Sequence, residues 1–317
     1  MIRYGIISAA NIVPRFVAGV KESDEGEVVA IAARNIERAQ QMAAELAIPT
    51  VYGSYQELFQ DETIDIVYIA VYNKAHYETA KAALLANKHV LLEKPFTLNW
   101  DEAEELFDLA HARHLFLMEA QKALFLPITQ RVKNKIQAGA IGDVNYMRAT
   151  TAYPSVDHID WFHSIEAGGG ALYGSGGYPL QYMLYVTDGT IAEAAGTAVR
   201  NPNESDTQCD VSVLFEAGVQ GNIFITTHMD LPSQLTIYGT KGEITIPNFW
   251  KAQEATIIQD GKVEKIAQPH QSEFVFEVNH VNECLQKGLV ESPIVTKELT
   301  LQTVELFEQL YQQWLSS

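Results

Sequence analysis

Over residues 1–120, short apolar runs alternate with longer amphipathic stretches. The apolar runs at 3–8, 28–33, 66–70, 90–92 and 116–119 have the length and residue types of strands, and the stretches at 12–21, 36–46, 75–86 and 100–113 carry helical spacing. In the second stretch Ala39, Met42, Ala43 and Leu46 share one face. Thr97 or Asn99 caps the helix opening at Trp100, and Asp101, Glu102, Glu104 and Glu105 crowd its first turns, where negative charge suits the helix dipole. Strands alternating with helices predict a doubly wound parallel sheet with right-handed crossovers.

Near residue 120 the period changes. A helix at 127–138, stopped by Gly139, is followed by β-like runs at 144–151, 192–200, 209–215, 220–227, 234–238 and 243–246. Turns at Ala217-Gly218 and at 239–242 predict antiparallel pairing. Between 153 and 181 the composition is polar, aromatic and glycine-rich at once, which predicts a ligand-facing loop. Two amphipathic helices, 273–287 and 297–315, finish the chain, the last one placed to pack back on the first domain. The expected division is a first domain over 1–120 and a second over 121–317.

Charge narrows the partners. With 22 Lys+Arg against 40 Asp+Glu, the formal net charge of −18 repels nucleic acid and anionic membranes, so a small-molecule partner is expected. The longest apolar run, near 64–72, is too short to span a bilayer. Two cysteines, Cys209 and Cys284, make neither a disulfide framework nor a metal-ligand pattern, and no metal is expected. With a strand beginning almost at Met1, no removable leader is expected either, and the compartment reads as a reducing cytoplasm.

The chemistry collects at strand ends, where an open parallel sheet binds its ligands. The run at 66–70 delivers Tyr72, Asn73 and His76; the run at 90–92 delivers Glu93, Lys94 and Pro95. Proline keeps the residue before it extended, so Lys94 is aimed outward from a stiff strand end and is expected at the centre of an active site. The first strand–helix turn reads Ser8-Ala9-Ala10-Asn11-Ile12-Val13 and lacks the glycines of a dinucleotide fingerprint. It still offers small side chains, the amides of a helix start and a Ser8 hydroxyl for a phosphate. The second strand ends in Ala33-Arg34-Asn35, with no carboxylate for a ribose hydroxyl. A guanidinium pairs with a 2′-phosphate, so the expected cofactor is NADP, with NAD the alternative. The cofactor-binding set is Ser8, Ala9, Ala10, Asn11, Ile12, Ala33, Arg34, Asn73, His76, Glu93, Lys94 and Trp161; Trp161 or Tyr153 is expected to cover the nicotinamide or a sugar face.

Glu93-Lys94-Pro95, Asn73-Lys74-Ala75-His76 and Gly168-Gly169-Gly170-Ala171-Leu172 together resemble the Gfo/Idh/MocA oxidoreductases. Ala32-Ala33-Arg34, Tyr52-Gly53-Ser54-Tyr55, Met118-Glu119-Ala120 and Gly239-Thr240-Lys241-Gly242 look most like the dihydrodiol dehydrogenase branch. The resemblance implies an amino-terminal Rossmann domain and a carboxy-terminal α/β domain with an open, predominantly antiparallel sheet. It also implies reversible hydride transfer between NAD(P) and a sugar, polyol or related secondary alcohol. By the same resemblance Lys94 contacts the reacting hydroxyl, and Tyr178 is the matching acid/base residue. A phenol's ordinary pKa of about 10 is too high for a base at neutral pH, and an ammonium beside it lowers that value.

Two positions depart from the family's pattern: Gly174 stands where an aspartate is usual, and Leu124 where the branch has arginine. His158 and His163 are the alternative acid/base candidates; Lys122, after Met118-Glu119-Ala120, is within reach of the cleft but reads first as a solvated charge at a helix start. Gly174 favours a non-catalytic NADP-binding sensor on the same fold; Lys94 and Tyr178 favour the enzyme. Phe224, Leu235, Ile237 and Trp250 suggest a sheet face that pairs copies of the chain as a homodimer or homotetramer.

Overall fold

The central strands of the first sheet are buried on both faces along most of their length, as a sheet covered by helices on each side requires. The computed structural model describes residues 1–156 and 158–316. In the first half, β1 (Ile2–Ile7), α1 (Val13–Glu22), β2 (Gly26–Ala32), α2 (Ile36–Leu46), β3 (Thr50–Tyr52), α3 (Tyr55–Gln60), β4 (Ile66–Ile69), α4 (His76–Leu85), β5 (His89–Glu93), α5 (Trp100–Ala112) and β6 (Leu117–Ala120) follow in order. Every pairing among these strands is parallel, and the order is β3-β2-β1-β4-β5-β6. This is the expected doubly wound sheet, with the order reversing between β1 and β4. Short β3 and α3 are additions to the sequence-based reading. Asn99, rather than Thr97, caps α5, accepting from the Glu102 amide at 2.9 Å.

The second half contains α6 (Pro127–Gln137), β7 (Val144–Ala152), α7 (Ala171–Ser175), α8 (Gly177–Thr187), β8 (Ile191–Arg200), β9 (Asp206–Phe215), β10 (Gln220–Thr226), β11 (Gln234–Gly239), β12 (Gly242–Pro247), β13 (Glu254–Gln259) and β14 (Lys262–Ala267). Its eight strands run β14-β13-β12-β11-β7-β10-β9-β8, antiparallel except for the parallel pair β7 and β10. The predicted turns are present, Gly218 closing β9 onto β10 at φ 80° and Gly239 facing Gly242. Two strands, β13 and β14, extend the sheet beyond expectation. The stretch expected as a loop through 181 instead becomes helical at Ala171 and again at Gly177. Leu235 and Ile237 are fully buried within the chain and Trp250 lies on a 3₁₀ turn off the sheet, so none of the three supports the partner face suggested for them.

The chain separates into two units, Met1–Gln121 with Ser272–Lys297, and Lys122–Gln271 with Glu298–Ser317. The last helix, α10 (Lys297–Ser316), falls almost wholly with the second unit. The helix before it, α9 (Val275–Gln286), falls with the first, so the return to the first unit is made by α9. It packs on α1 through a close approach at Gly19, where a Cβ would lie 2.5 Å from the Phe274 Cβ. Phe16 of α1 stacks on Tyr68 of β4 at 3.7 Å between ring centroids, and Tyr4 Oη donates to Asn282 at 2.7 Å. These contacts fix α1 over the centre of the parallel sheet.

On α9, His280 Nε2 lies 2.8 Å from Ser292 Oγ, and burial pushes its pKa down to about 4 from 6.5, with Glu283 opposing and Lys287 adding to the fall. The unfolded chain therefore binds a proton there that the folded chain refuses, and the stability this site contributes is complete above pH 6.5 and is lost as the pH falls toward 4. His280→Gln removes the titration but keeps a polar group for Ser292. Urea unfolding of this variant is expected to depend less steeply on pH across that window than unfolding of the parent, and equal slopes would exclude His280 as a source of the acid sensitivity.

Candidate active site

Strand register sets the candidate site of the first unit. Ile7 pairs with Ala32 and with Ile69, Ile69 with Leu92, and Leu92 with Glu119, so the carboxyl ends of β2, β1, β4, β5 and β6 end level along one edge. Ser8, Ala33, Lys94 and the segment from Ala70 to Asn73 all follow directly on those ends. Because the strand order reverses between β1 and β4, a crevice opens there for a ligand.

Lys94 is held from three sides. Tyr68 Oη donates to Glu93 Oε1 at 2.6 Å, and the other oxygen of that carboxylate accepts the Lys94 amide at 3.2 Å. His76 is buried, with Nδ1 2.7 Å from the Pro95 carbonyl and Nε2 3.1 Å from the Val71 carbonyl, so one ring spans the ends of β4 and β5. Burial lowers the His76 pKa against the pull of those carbonyls and of Glu93. The Lys94–Pro95 peptide is cis. Burial also lowers the pKa of the Lys94 ammonium, while Glu93 and buried Glu119 act to raise it. His76 and Glu93, expected among cofactor contacts, place polar atoms on the strand ends and on the main chain around Lys94. Asn73 is buried beside them.

The first turn fits a dinucleotide without glycine. Ser8 takes φ 102°, the left-handed region a glycine usually fills. Ala9 is buried against Ala33 and Ala39, while Ala10 and Ile12 are half-buried and Asn11 is exposed. The N-terminus of α1 has no side-chain cap and no acidic residue in its first turn. By contrast α2, α3 and α5 are capped by Asn35, Ser54 and Asn99 and carry acids there. An uncapped helix start with small residues before it suits a pyrophosphate. At the end of β2, exposed Arg34 stands over the Tyr72 ring, 5.4 Å from its centroid. Arg38, one helical turn on, reaches the Ala9 carbonyl at 3.4 Å. Sequence reasoning missed Arg38, although its spacing from Arg34 on a helix opened by Asn35 was the signal.

Tyr178 belongs to the second unit. It lies in the first turn of α8, a helix whose Gly177, Pro179, Leu180, Gln181 and Tyr182 are buried while Tyr178 stays half-exposed. Lys122, expected to be solvated, is only 4% exposed: its 3₁₀ turn (Lys122–Leu124) directs the ammonium inward, where Nζ donates to Tyr178 Oη at 2.5 Å. The Tyr153 hydroxyl lies 3.1 Å from where a Cβ of residue 174 would be, so glycine at 174 leaves room for a phenol. Burial raises the Tyr153 pKa, with Ser175 opposing.

The segment leading to α8 is fastened by Asp206. Its Oδ2 accepts the Leu172 amide at 3.0 Å and its Oδ1 accepts the Tyr311 hydroxyl, which occupies the space a side chain at Gly170 (φ 120°) would need. Trp161 is half-buried, and His158 and His163 are exposed, the latter 3.8 Å from Glu204.

Comparison with known proteins agrees with both units. The description "Oxidoreductase family, NAD-binding Rossmann fold" matches residues 2–121, and "GFO/IDH/MocA C-terminal domain" matches residues 129–245. The trans-1,2-dihydrobenzene-1,2-diol dehydrogenase of Xenopus laevis is 34% identical over 307 residues, covering 93% of this chain and 92% of that protein. The Mus musculus protein of that name is 32% identical over 321 residues, covering 97% and 95%. Among solved structures, a 3-ketoreductase from Actinomadura kijaniata in complex with NADP and TDP-benzene superposes with a TM-score of 0.88 at 24% identity, covering 98% of this chain and 97% of that one. An aldose-aldose oxidoreductase from Caulobacter crescentus, complexed with glycerol, gives 0.90 at 20% identity, covering 99% and 97%. At those identities the superpositions speak for the fold. With relatives at 32% and 34% identity over nearly the whole sequence and both domain descriptions matched in order, the chain belongs to the GFO/IDH/MocA oxidoreductase family and carries its NAD-binding Rossmann domain.

Proposed function

We propose that the protein oxidises a secondary alcohol of diol or sugar type, or reduces the matching carbonyl compound, with NADP as the redox partner. The observation that carries this reading is Lys94. The main chain of Lys94, a half-buried residue, is fixed at the level edge of the parallel sheet by Glu93, itself held by Tyr68, and by His76 on Pro95, next to the point where the strand order reverses. The name of the sequence relatives, trans-1,2-dihydrobenzene-1,2-diol dehydrogenase, supports the substrate class.

When bound, the nicotinamide supplies or accepts the hydride. Lys94 stabilises the negative charge that builds on the substrate oxygen, a task that needs the protonated amine. Tyr178 Oη exchanges the hydroxyl proton, and its place in a half-exposed first turn leaves it accessible to do so. Ser8 and the uncapped start of α1 hold the pyrophosphate, and Arg34 with Arg38 holds a 2′-phosphate. Trp161 covers a ring of the cofactor or substrate.

Two coarser inferences accompany this one. The open face of the second sheet, with Tyr146 stacked on Tyr238 at 5.8 Å and with half-exposed Phe224, receives a second copy of the chain. The two buried, unpaired cysteines suit a reducing cytoplasm.

Three measurements test the reading. In steady-state assays over a panel of trans-diols, polyols and ketoses, Lys94→Ala is expected to lower kcat about 100-fold or more, and Tyr178→Phe about 100-fold. Cofactor Kd should barely move in either variant, and near-parental kcat in both would remove them from the chemistry. NADPH is expected to bind at least about tenfold more tightly than NADH, equivalent to about 1.4 kcal/mol. Arg34→Asp should abolish the difference, and a parental preference for NADH would refute the 2′-phosphate assignment. Ser8→Gly relieves an unfavourable backbone conformation and is expected to raise stability in urea by about 1 kcal/mol, while NADPH affinity falls; unchanged affinity would show that the Ser8 hydroxyl touches no phosphate.

A further inference from the structure

A lysine within a protein interior is costly unless another group compensates its charge. Lys122 is 4% exposed, and the residues after it in its turn, Ala123 and Leu124, are fully buried and apolar. Its Nζ stands 2.5 Å from Tyr178 Oη and 4.5 Å from the centre of the ring, so the ammonium sits at the hydroxyl edge of the phenol. The elements packed against α8 bring other charges, but these are engaged or turned outward. Lys133 of α6 pairs with Asp188 beyond the far end of α8, Lys135 pairs with Glu264, and Arg131, Arg148 and Lys251 are exposed. The strand β10 carries no charged residue, and on α7 the titratable group is Tyr173, which stacks on Tyr311.

We propose that Lys122 is a positioning residue for Tyr178: its ammonium fixes the rotamer of the phenol and stabilises the phenolate, preparing Tyr178 to take up a substrate proton at neutral pH. This rests on the acid/base role given to Tyr178 above and adds the residue that makes the role workable. In alcohol oxidation the substrate O–H bond breaks and its proton forms the O–H bond of Tyr178, while the carbinol hydrogen leaves with its electron pair for the nicotinamide. Lys122 remains protonated throughout and is never consumed. The arrangement balances two unfavourable states, since an unpartnered ammonium is disfavoured by burial and an unpartnered phenolate by its ordinary pKa of about 10. Each relieves the other, so the two groups titrate as a pair.

The test compares the parent with Lys122→Met, which keeps length and apolar bulk, and Lys122→Arg, which keeps the cation. Two readouts are taken: the pH dependence of kcat/KM for alcohol oxidation, and the titration of Tyr178 itself from the ultraviolet absorbance of phenolate, with Tyr178→Phe as the blank. In Lys122→Met the activity limb and the phenolate titration are both expected to move upward by about one to two pH units, a loss of at least about tenfold in kcat/KM at neutral pH that is regained in alkali. In Lys122→Arg both should return toward the parent. A Lys122→Met protein whose phenolate titrates like the parent's, or whose activity falls equally at every pH, overturns the proposal. If Tyr178→Phe keeps its turnover while the Tyr178 titration still moves in Lys122→Met, the pairing stands and the catalytic reading of Tyr178 falls. If Lys122→Met does not fold, tyrosine-labelled NMR of the parent decides: Tyr178 titrating at or above the ordinary value of about 10 overturns the proposal.

Discussion

One imidazole ties the parallel sheet to its chemistry. His76 opens α4 and lies buried between the carbonyls that follow β4 and β5. Neutral imidazole has a single N–H, so the ring donates to one of the two carbonyls at a time, Pro95 at 2.7 Å or Val71 at 3.1 Å. Each carbonyl belongs to a segment that has left the sheet ladder and lost its strand partners. Without the ring, two backbone oxygens at the sheet edge would lose their nearest polar neighbour. The ring therefore transmits the geometry of the sheet core to Lys94. The Phe16–Tyr68 stack and the Tyr68–Glu93 hydrogen bond do the same from the other side. The main chain around Lys94, beyond the strand end, is thus held by groups rooted in strands and helices.

The first unit was legible in the sequence because its strands are short apolar runs separated by clear helical periods, and five of its six strands lie where those runs predict. β3 escaped because three half-buried residues, Thr50–Tyr52, make no pattern. The helix α8 escaped for the opposite reason. It is apolar almost all round, so it has no amphipathic period, and the glycines before it read as a loop. The β13–β14 hairpin did carry a signal, Asp260-Gly261 with both residues at positive φ, in a stretch too polar to look like strands.

The site was legible where chemistry shows in residue type and hidden where it depends on direction. Glu93, Lys94 and His76 stand out at strand ends, yet sequence alone does not tell a ligand contact from a brace. Lys122 illustrates the gap most plainly. A lysine at a helix start is normally solvated, and only the inward set of its 3₁₀ turn brings it to Tyr178. The missing glycines of the first turn also mislead a pattern search: Ser8 adopts the glycine-like backbone directly.

The Tyr311–Asp206 link couples two distant stretches of the chain. Asp206 fastens the amide that begins the segment before Tyr178, and Tyr311 reaches that carboxylate from α10, 105 residues further on. Any local fraying of α10 therefore strips a buried carboxyl group of its hydroxyl donor and slackens the segment that carries Tyr178.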